Sequence, residues 1–517
     1  MLGAVFAAIV SPIAVGAKNR PIRTVRTRVE EATNVKAAMP TAPILLWFRQ
    51  DLRLSDNRAL AAAIDTGRPI LPVYILDDET PGPWRLGGAS RWWLHHSLDA
   101  LGRDLAALGC PLVLRRGAAL PELRRLAGET GAAAVYCTRA YEPWARETED
   151  ALAGSEIAFK RFAGCLLFEP DALTTKSGTP FRVFTPFWKA CQAAPAPKPP
   201  LPKPRAITAS DSVPRSDRLA DWALLPTGPD WSGGLRETWN PGEANARTRL
   251  SDFLDDAMRS YADRRDRPDI AGTSRLSPHL HFGEISPHRC WHAAQARIDA
   301  APDAAKGGRS FLRELSWREF SYHLLFHWPS LPEVPFQEKF AAFAWEKNAD
   351  GLRDWQRGRT GIPIVDAGMR ELWRTGWMHN RVRMIVASLL VKNMLVPWRE
   401  GEAWFWDTLV DADLANNAAS WQWVAGCGAD AAPYFRIFNP VLQGRKFDPD
   451  GAYVRRYVPE LNALPDKHIH APWEAPAEVL AAVGVRLGET YPRPILDLRE
   501  SRAKALAAYD TVKARGG

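Results

Sequence analysis

Between residues 376 and 423 the chain places charges among residues that ought to be buried. GWMHNRVRM, WREG and DADLANNAASWQW follow one another there, at tight spacing. They hold two acids (Asp411, Asp413), two arginines (Arg381, Arg383), two amides (Asn380, Asn417) and three tryptophans (Trp398, Trp421, Trp423). The apolar residues between them, Met384, Ile385, Val386, Leu389 and Leu390, read as buried helix. Charges enter such a setting when they pair or hold a ligand. A helix through the first segment puts Trp377, Asn380 and Met384 on one face, at i, i+3 and i+7. Trp421 and Trp423 are two apart, so a helix points them to roughly opposite sides, one inward and one toward a cavity. Residue by residue this is a tryptophan-rich core with surface ion pairs. The combination points to a ligand site.

Upstream the pattern changes. Short apolar runs at 44–48, 70–76, 112–114 and 133–137 alternate with helical patterns at 57–66, 90–108 and 121–129. Alternation of this kind predicts a parallel, Rossmann-like α/β domain over 43–172. No GxGxxG follows the first run, so a dinucleotide fingerprint is not indicated. Six prolines and three basic residues crowd 193–205, too rigid and polar for a core element, and mark an interdomain linker within 173–239. From 240 to 505 the chain reads as a large all-α domain, with Pro268, Pro329, Pro363 and Pro397 at helix ends or turns. A length of 517 residues accommodates this division.

The first 38 residues fit neither part. An apolar run from residue 2 to 17 precedes a basic stretch, but no positive side chain stands before it, as a secretory signal requires. Met39 lies just before the first strand, so the expectation for 1–38 is an over-long start; a targeting peptide and a disordered tail are the alternatives. Six basic residues against two glutamates here supply half of the net charge of +8. The remainder is compatible with nucleic-acid binding without demanding it. Six scattered cysteines with no CxxC argue against zinc or iron–sulfur and suit a reducing cytoplasm. No apolar run is long enough to span a membrane.

Two further segments carry chemistry. Tyr261 and the run Thr273, Ser274, Arg275, Leu276, Ser277 offer hydroxyls, backbone N–H groups and a guanidinium, a set suited to a pyrophosphate. His279 and His281 lack a clustered third ligand, so no metal is expected. In RELSWREF a helix puts Glu314, Trp317 and Arg318 on one face.

These segments, together with WFRQDLRLSDN near the start, resemble the DNA photolyase and cryptochrome family from about 44 to 491. The resemblance implies an N-terminal domain with an antenna pigment and a helical FAD-binding domain. It places Tyr261, Thr273, Ser274, Arg275, Leu276 and Ser277 at the FAD phosphates, and Asn380, Arg383, Asp411, Asp413 and Asn417 around the flavin. Glu314, Trp317, Met384 and Trp423 match the cavity for a flipped pyrimidine pair, with Arg318, Asn380 and Arg381 toward DNA. Trp421, Trp398 and Trp345 match a triad that carries an electron from the surface. Met384 and Trp423 favour cyclobutane dimers over (6-4) products. SRWWLHHSLDAL and NNAAS look closest to bacterial class III photolyases, which implies methenyltetrahydrofolate as antenna. Glu142, in YEPW, reads as an exposed helix-start acid rather than an antenna contact. The expected protein is a monomeric, light-driven repair enzyme acting on damaged DNA. The rivals are a cryptochrome-type light sensor and a flavin-containing single-strand DNA binder without photochemistry.

Overall fold

Apolar runs buried on both faces build the first half of the molecule, which a computed structural model describes over residues 42–431 and 435–515. The expected extension 1–38 lies outside the described residues. Strands β1 (Ile44–Phe48), β2 (Ile70–Leu76), β3 (Val113–Arg116), β4 (Ala134–Thr138) and β5 (Phe159–Phe162) form one sheet in the order β3-β2-β1-β4-β5. Every neighbouring pair is parallel. β1 and β2 fall where expected, and β3 and β4 begin one residue later. β5 had no sequence signal because its two middle residues, Lys160 and Arg161, face solvent at the sheet edge.

Helices α1 (Arg58–Asp65), α2 (Gly88–Ala106), α3 (Ala119–Thr130) and α4 (Pro143–Ala153) accompany the strands. Alternate residues feed two cores. Leu45, Trp47 and Val73 meet Leu123, Leu126 and Leu152 on one face. Ile44, Leu46 and Phe48 meet Leu60, Trp92 and Trp93 on the other. That second core continues into the helical part through Trp239, Phe282, Trp377 and Val410, so the sheet directly supports the segment 376–410.

The region read as linker contains α5 (Phe184–Ala193), which buries Phe184, Phe187 and Cys191. The helical remainder then begins with α6 (Gly233–Thr238), α7 (Glu243–Asp255), α8 (Tyr261–Arg264), α9 (Ser277–His281), α10 (Pro287–Ala300) and α11 (Ala305–His327). It continues with α12 (Ala349–Gln356), α13 (Pro363–Thr375), α14 (Asn380–Ser388), α15 (Trp398–Thr408) and α16 (Leu414–Ala425). The last helices are α17 (Pro440–Phe447), α18 (Ala452–Tyr457), α19 (Ala477–Ala482) and α20 (Leu498–Arg515). Pro363 opens α13 at a position where its missing N–H costs nothing. Among the described residues no helix is long and apolar enough to cross a membrane.

Two expectations fail here. Trp377 does not share a helix face with Asn380 and Met384: Gly376 ends α13 at φ +65°, and His379 caps α14 by accepting from the Arg381 N–H at 3.2 Å. Trp377 lies in the turn between those caps. Glu142 is not exposed either; it stands at the N-cap of α4 and is buried.

Candidate active site

The turn from α13 to α14 and the loop into α16 are pinned together. Val410 N–H donates to Gly376 O at 2.7 Å. One turn into α14, Arg383 donates through Nε to Met378 O at 2.8 Å and through Nη2 to both Asp411 oxygens at 3.0 and 2.8 Å. The Asp411 carboxylate is buried, and this pairing offsets the cost of removing it from water. Asp413 caps α16, its Oδ1 accepting from the Asn416 N–H at 2.8 Å. Its Oδ2 accepts from the Tyr322 hydroxyl and lies 3.7 Å from His281 Nδ1. Burial alone would push this carboxyl up; the pull of His281, Arg318 and Tyr322 outweighs it and holds Asp413 well below the usual carboxylate range. The 3.7 Å between His281 Nδ1 and this carboxylate is longer than an ordinary hydrogen bond. Asn417, one turn further, is buried and donates from Nδ2 to Glu402 O at 3.0 Å.

The phosphate-type segment lies alongside. Arg275 adopts φ +51°, and its guanidinium sits 4.5 Å over the Trp377 ring and 3.7 Å from Glu371. Trp377 Nε1 donates to Ser277 Oγ at 3.3 Å, and Leu276 N–H to Ser274 Oγ at 3.4 Å. Burial, reinforced by Glu314, raises the Tyr261 phenol so that it stays a donor.

Of the nineteen buried polar side-chain atoms without a hydrogen-bond partner among the described residues, five fall on or beside these segments. They are Nε2 of His279 and Nδ1 of His281 on α9, Nε2 of His379 and Nε of Arg381 at the start of α14, and Oε1 of Glu402 on α15. An unmet buried polar atom costs about 1–3 kcal/mol, a cost that a polar ligand reaching these atoms would relieve.

Of the predicted substrate residues Arg381 lines a groove of about 470 Å³, together with Arg267, Arg436, Lys446, Asp263 and Asp266; the others lie outside that lining. Glu314 pairs with Arg265. Arg265 lies 4.0 Å from Asp266, which in turn pairs with Arg381 at 2.8 Å. Trp423 donates from Nε1 to Asp430 O at 3.1 Å, with the Arg436 guanidinium 6.0 Å over its ring. Trp317 stacks on Phe184 with ring centroids 3.6 Å apart and planes 8° from parallel. Arg318 is turned elsewhere, donating to Cys165 O at 2.9 Å and pairing with Glu319. Met384 is half-buried and Asn380 exposed.

Residues 44–205 match the family described as DNA photolyase, and 311–511 match the FAD binding domain of DNA photolyase. A deoxyribodipyrimidine photo-lyase of Agrobacterium fabrum is 52% identical over 482 residues, 92% of this chain and 99% of that protein. The chain belongs to the DNA photolyase/cryptochrome family. Cryptochrome-1 of Arabidopsis thaliana is 39% identical over 89% of this chain and 69% of its own length. A bacterial class III photolyase from Agrobacterium tumefaciens superposes with a TM-score of 0.88 at 51% identity, covering 93% of this chain and all of that one.

Within this photolyase/cryptochrome framework Trp421 is buried, with Phe405 at 5.0 Å and Trp355 at 6.2 Å. Gly401 permits this packing, since a Cβ there would fall 2.1 Å from the Trp421 ring. Trp398 opens α15 and is buried, while Trp345 is half-buried against Phe343 at 4.4 Å. Sequence reading missed Tyr322, Arg265, Arg436, Lys446 and Phe184. Only Phe184 had a local signal: with Phe181 and Phe187 it recurs every third residue, and all three are buried.

Proposed function

We propose that this protein is a deoxyribodipyrimidine photo-lyase that repairs cyclobutane pyrimidine dimers in DNA under blue light. When bound, reduced FAD supplies the electron that opens the cyclobutane ring. Tyr261, Thr273, Ser274 and Ser277 would hold its phosphates, with Leu276 and the Trp377-stacked Arg275 shaping that strand of the site. The Arg383–Asp411 pair, the anionic Asp413 and the amide of Asn417 would orient the ring system, with Asn380 at the mouth. Asp413 accepts hydrogen bonds and Asn417 can donate one, a division that suits a ring bearing both kinds of group.

The observation that carries the substrate assignment is the meeting of Glu314 and Trp423 with the cationic groove. Glu314 connects to it through Arg265, Asp266 and Arg381, and Trp423 through Arg436. Arg381, Arg436, Lys446 and Arg267 suit a phosphate backbone, while Trp317, Trp423 and Met384 offer stacking and apolar contact to a flipped base pair. Arg318, held on Cys165 O, supports α11 from behind instead of reaching the DNA. Trp345, Trp398 and Trp421 would carry an electron inward, each offering an oxidisable indole.

The antenna reading rests on the end of β1, where Arg49 Nη1 and Trp47 Nε1 are buried without a partner. Sheet order reverses beside this strand, a usual place for ligands in parallel sheets. Methenyltetrahydrofolate is the proposed occupant, with the antenna domain at 43–172, a linker at 173–239 and the FAD domain at 240–505. We place the protein in the cytoplasm as a monomer, in keeping with six unpaired cysteines.

The test is illumination of purified protein with cyclobutane dimers and (6-4) products in separate oligonucleotides. Repair of the dimer alone is expected. Repair of neither lesion overturns the reading in favour of a light sensor, and repair of (6-4) products alone overturns the lesion assignment. An absorbance spectrum of the purified protein reads both chromophores.

A further inference from the structure

Trp317 has one face already covered. Phe184 lies flat against it at 3.6 Å, a spacing at which two rings are in full van der Waals contact. Aromatic pairs left to themselves favour offset or edge-on arrangements, so this stack is held by its surroundings. Phe320 on α11 closes edge-on against both rings, 5.9 Å from Phe184 and 6.0 Å from Trp317. Phe181 N–H donates to His323 Nε2 at 2.9 Å, and Phe187 meets Phe320 at 5.3 Å. The start of α5 is therefore clamped along α11, and only the second face of Trp317 remains for a base.

The other tryptophan of the cavity shares this anchor. The backbone carbonyl of Asp430 accepts the Trp423 Nε1–H at 3.1 Å, and its half-buried carboxyl, pushed up by burial, faces the Phe184 N–H, which opposes that push. Asp430 does so at φ +53°, a conformation that non-glycine residues adopt rarely, so the loop after α16 is held to this shape. Asp430 thus stands between the wall bearing Trp423, which it holds by a hydrogen bond, and the start of α5, which carries the ring that backs Trp317.

We infer that Phe184 and Asp430 are positioning residues for lesion recognition, setting which face of Trp317 is open and how far Trp423 stands from it. A fused pyrimidine pair has a fixed angle between its bases, whereas undamaged neighbours stack flexibly. Walls of fixed separation favour the former. This inference rests on the repair reading and names the residues that give that cavity its selectivity.

The test measures dark binding of FAD-loaded protein to a single-stranded oligonucleotide carrying one thymine dimer and to the same oligonucleotide undamaged. Phe184→Leu keeps apolar bulk but removes the flat ring; it should weaken dimer binding about tenfold and leave undamaged binding unchanged. Phe184→Tyr keeps the ring and should restore the preference. Asp430→Ala, in a loop, probes the same unit without altering the aromatic core and should lower the preference similarly. Because both act through one anchor, the double variant should lose less than the product of the single losses. FAD content and thermal midpoint are read on every variant. If Phe184→Leu and Asp430→Ala retain the parent's preference, the inference falls while the repair reading stands. A preference that Phe184→Tyr fails to restore, or single losses that multiply independently, also overturns it. A parent that binds both oligonucleotides alike overturns the repair reading and this inference together.

Discussion

His323 ties acid stability to the cavity wall. Its Nε2 accepts the Phe181 N–H, so the ring must be neutral there, and it is buried among Phe187 at 5.3 Å, Phe320 and His327 at 4.6 Å. Burial, aided by the neighbouring His327, lowers its pKa from 6.5 to about 4. The folded value is depressed, so between those two values the unfolded chain binds a proton that the folded chain refuses. Stability is complete above pH 6.5 and is lost as pH falls toward 4. Integrating that difference from pH 7.5 to pH 5 gives about 2 kcal/mol from this one group. His379 is held near 4 by the same burial and adds a loss in the same window. His323→Gln places an amide oxygen close to where Nε2 lies, keeping an acceptor for Phe181 without a titrating proton. The variant should match the parent at pH 7.5 and melt a few degrees higher than the parent at pH 5. Thermal midpoints of both proteins across that range, with FAD bound, provide the comparison. Equal acid slopes in parent and variant would refute the reasoning.

Four further outcomes are expected. Glu314→Ala should retain FAD and bind dimer-containing DNA with modest loss, yet repair more than tenfold fewer lesions per absorbed photon, because a hydrogen bond to a charged species is worth about 1.5–3 kcal/mol and that charge develops only during reaction. Trp398→Phe should slow light-driven reduction of oxidised FAD sharply while repair by chemically pre-reduced enzyme continues, as followed by absorbance and by product. Gly401→Ala should cost about 1–3 kcal/mol by forcing a methyl against the Trp421 ring; Gly102→Ala, where an added Cβ meets nothing within 4 Å, should not lower the thermal midpoint. Lys446→Ala should weaken damaged and undamaged DNA alike and reduce the salt slope of binding by about 1.

Local patterns in this chain were legible wherever local physics decides them. β1 and β2 were read to the residue because strands buried on both faces are unbroken apolar runs. β5 was not, since an edge strand tolerates Lys160 and Arg161 facing water. The helix drawn through Trp377 failed at Gly376 and His379, where two caps outweighed an apparent 3.6-residue period. Glu314, Trp317 and Arg318 do share a helix, but each is claimed by a different partner: Arg265, Phe184 and Cys165. Those partners lie 49 to 153 residues away, and no spacing rule announces them.

The two acids that first marked the site show where sequence reasoning stops. Asp411 and Asp413 are two apart and chemically identical, and local sequence alone does not say which is the ion-paired one and which the helix cap. Arg383 reaches Asp411 because α14 runs past the loop, and Asp413 falls at the N-cap because the helix starts at Leu414. Tyr322, His281 and Arg318 then converge on Asp413 from α9 and α11 and keep it anionic against its own burial. A carboxylate held charged in an enclosed site attracts hydrogen-bond donors, while one already satisfied by an arginine mainly orders that arginine. The roles follow from what faces each acid. Exchanging Asp413 for Asn should therefore weaken FAD retention more than exchanging Tyr322 for Phe, which removes one donor but leaves the anion in place; equal FAD content in the two variants would show that the charge at 413 is dispensable.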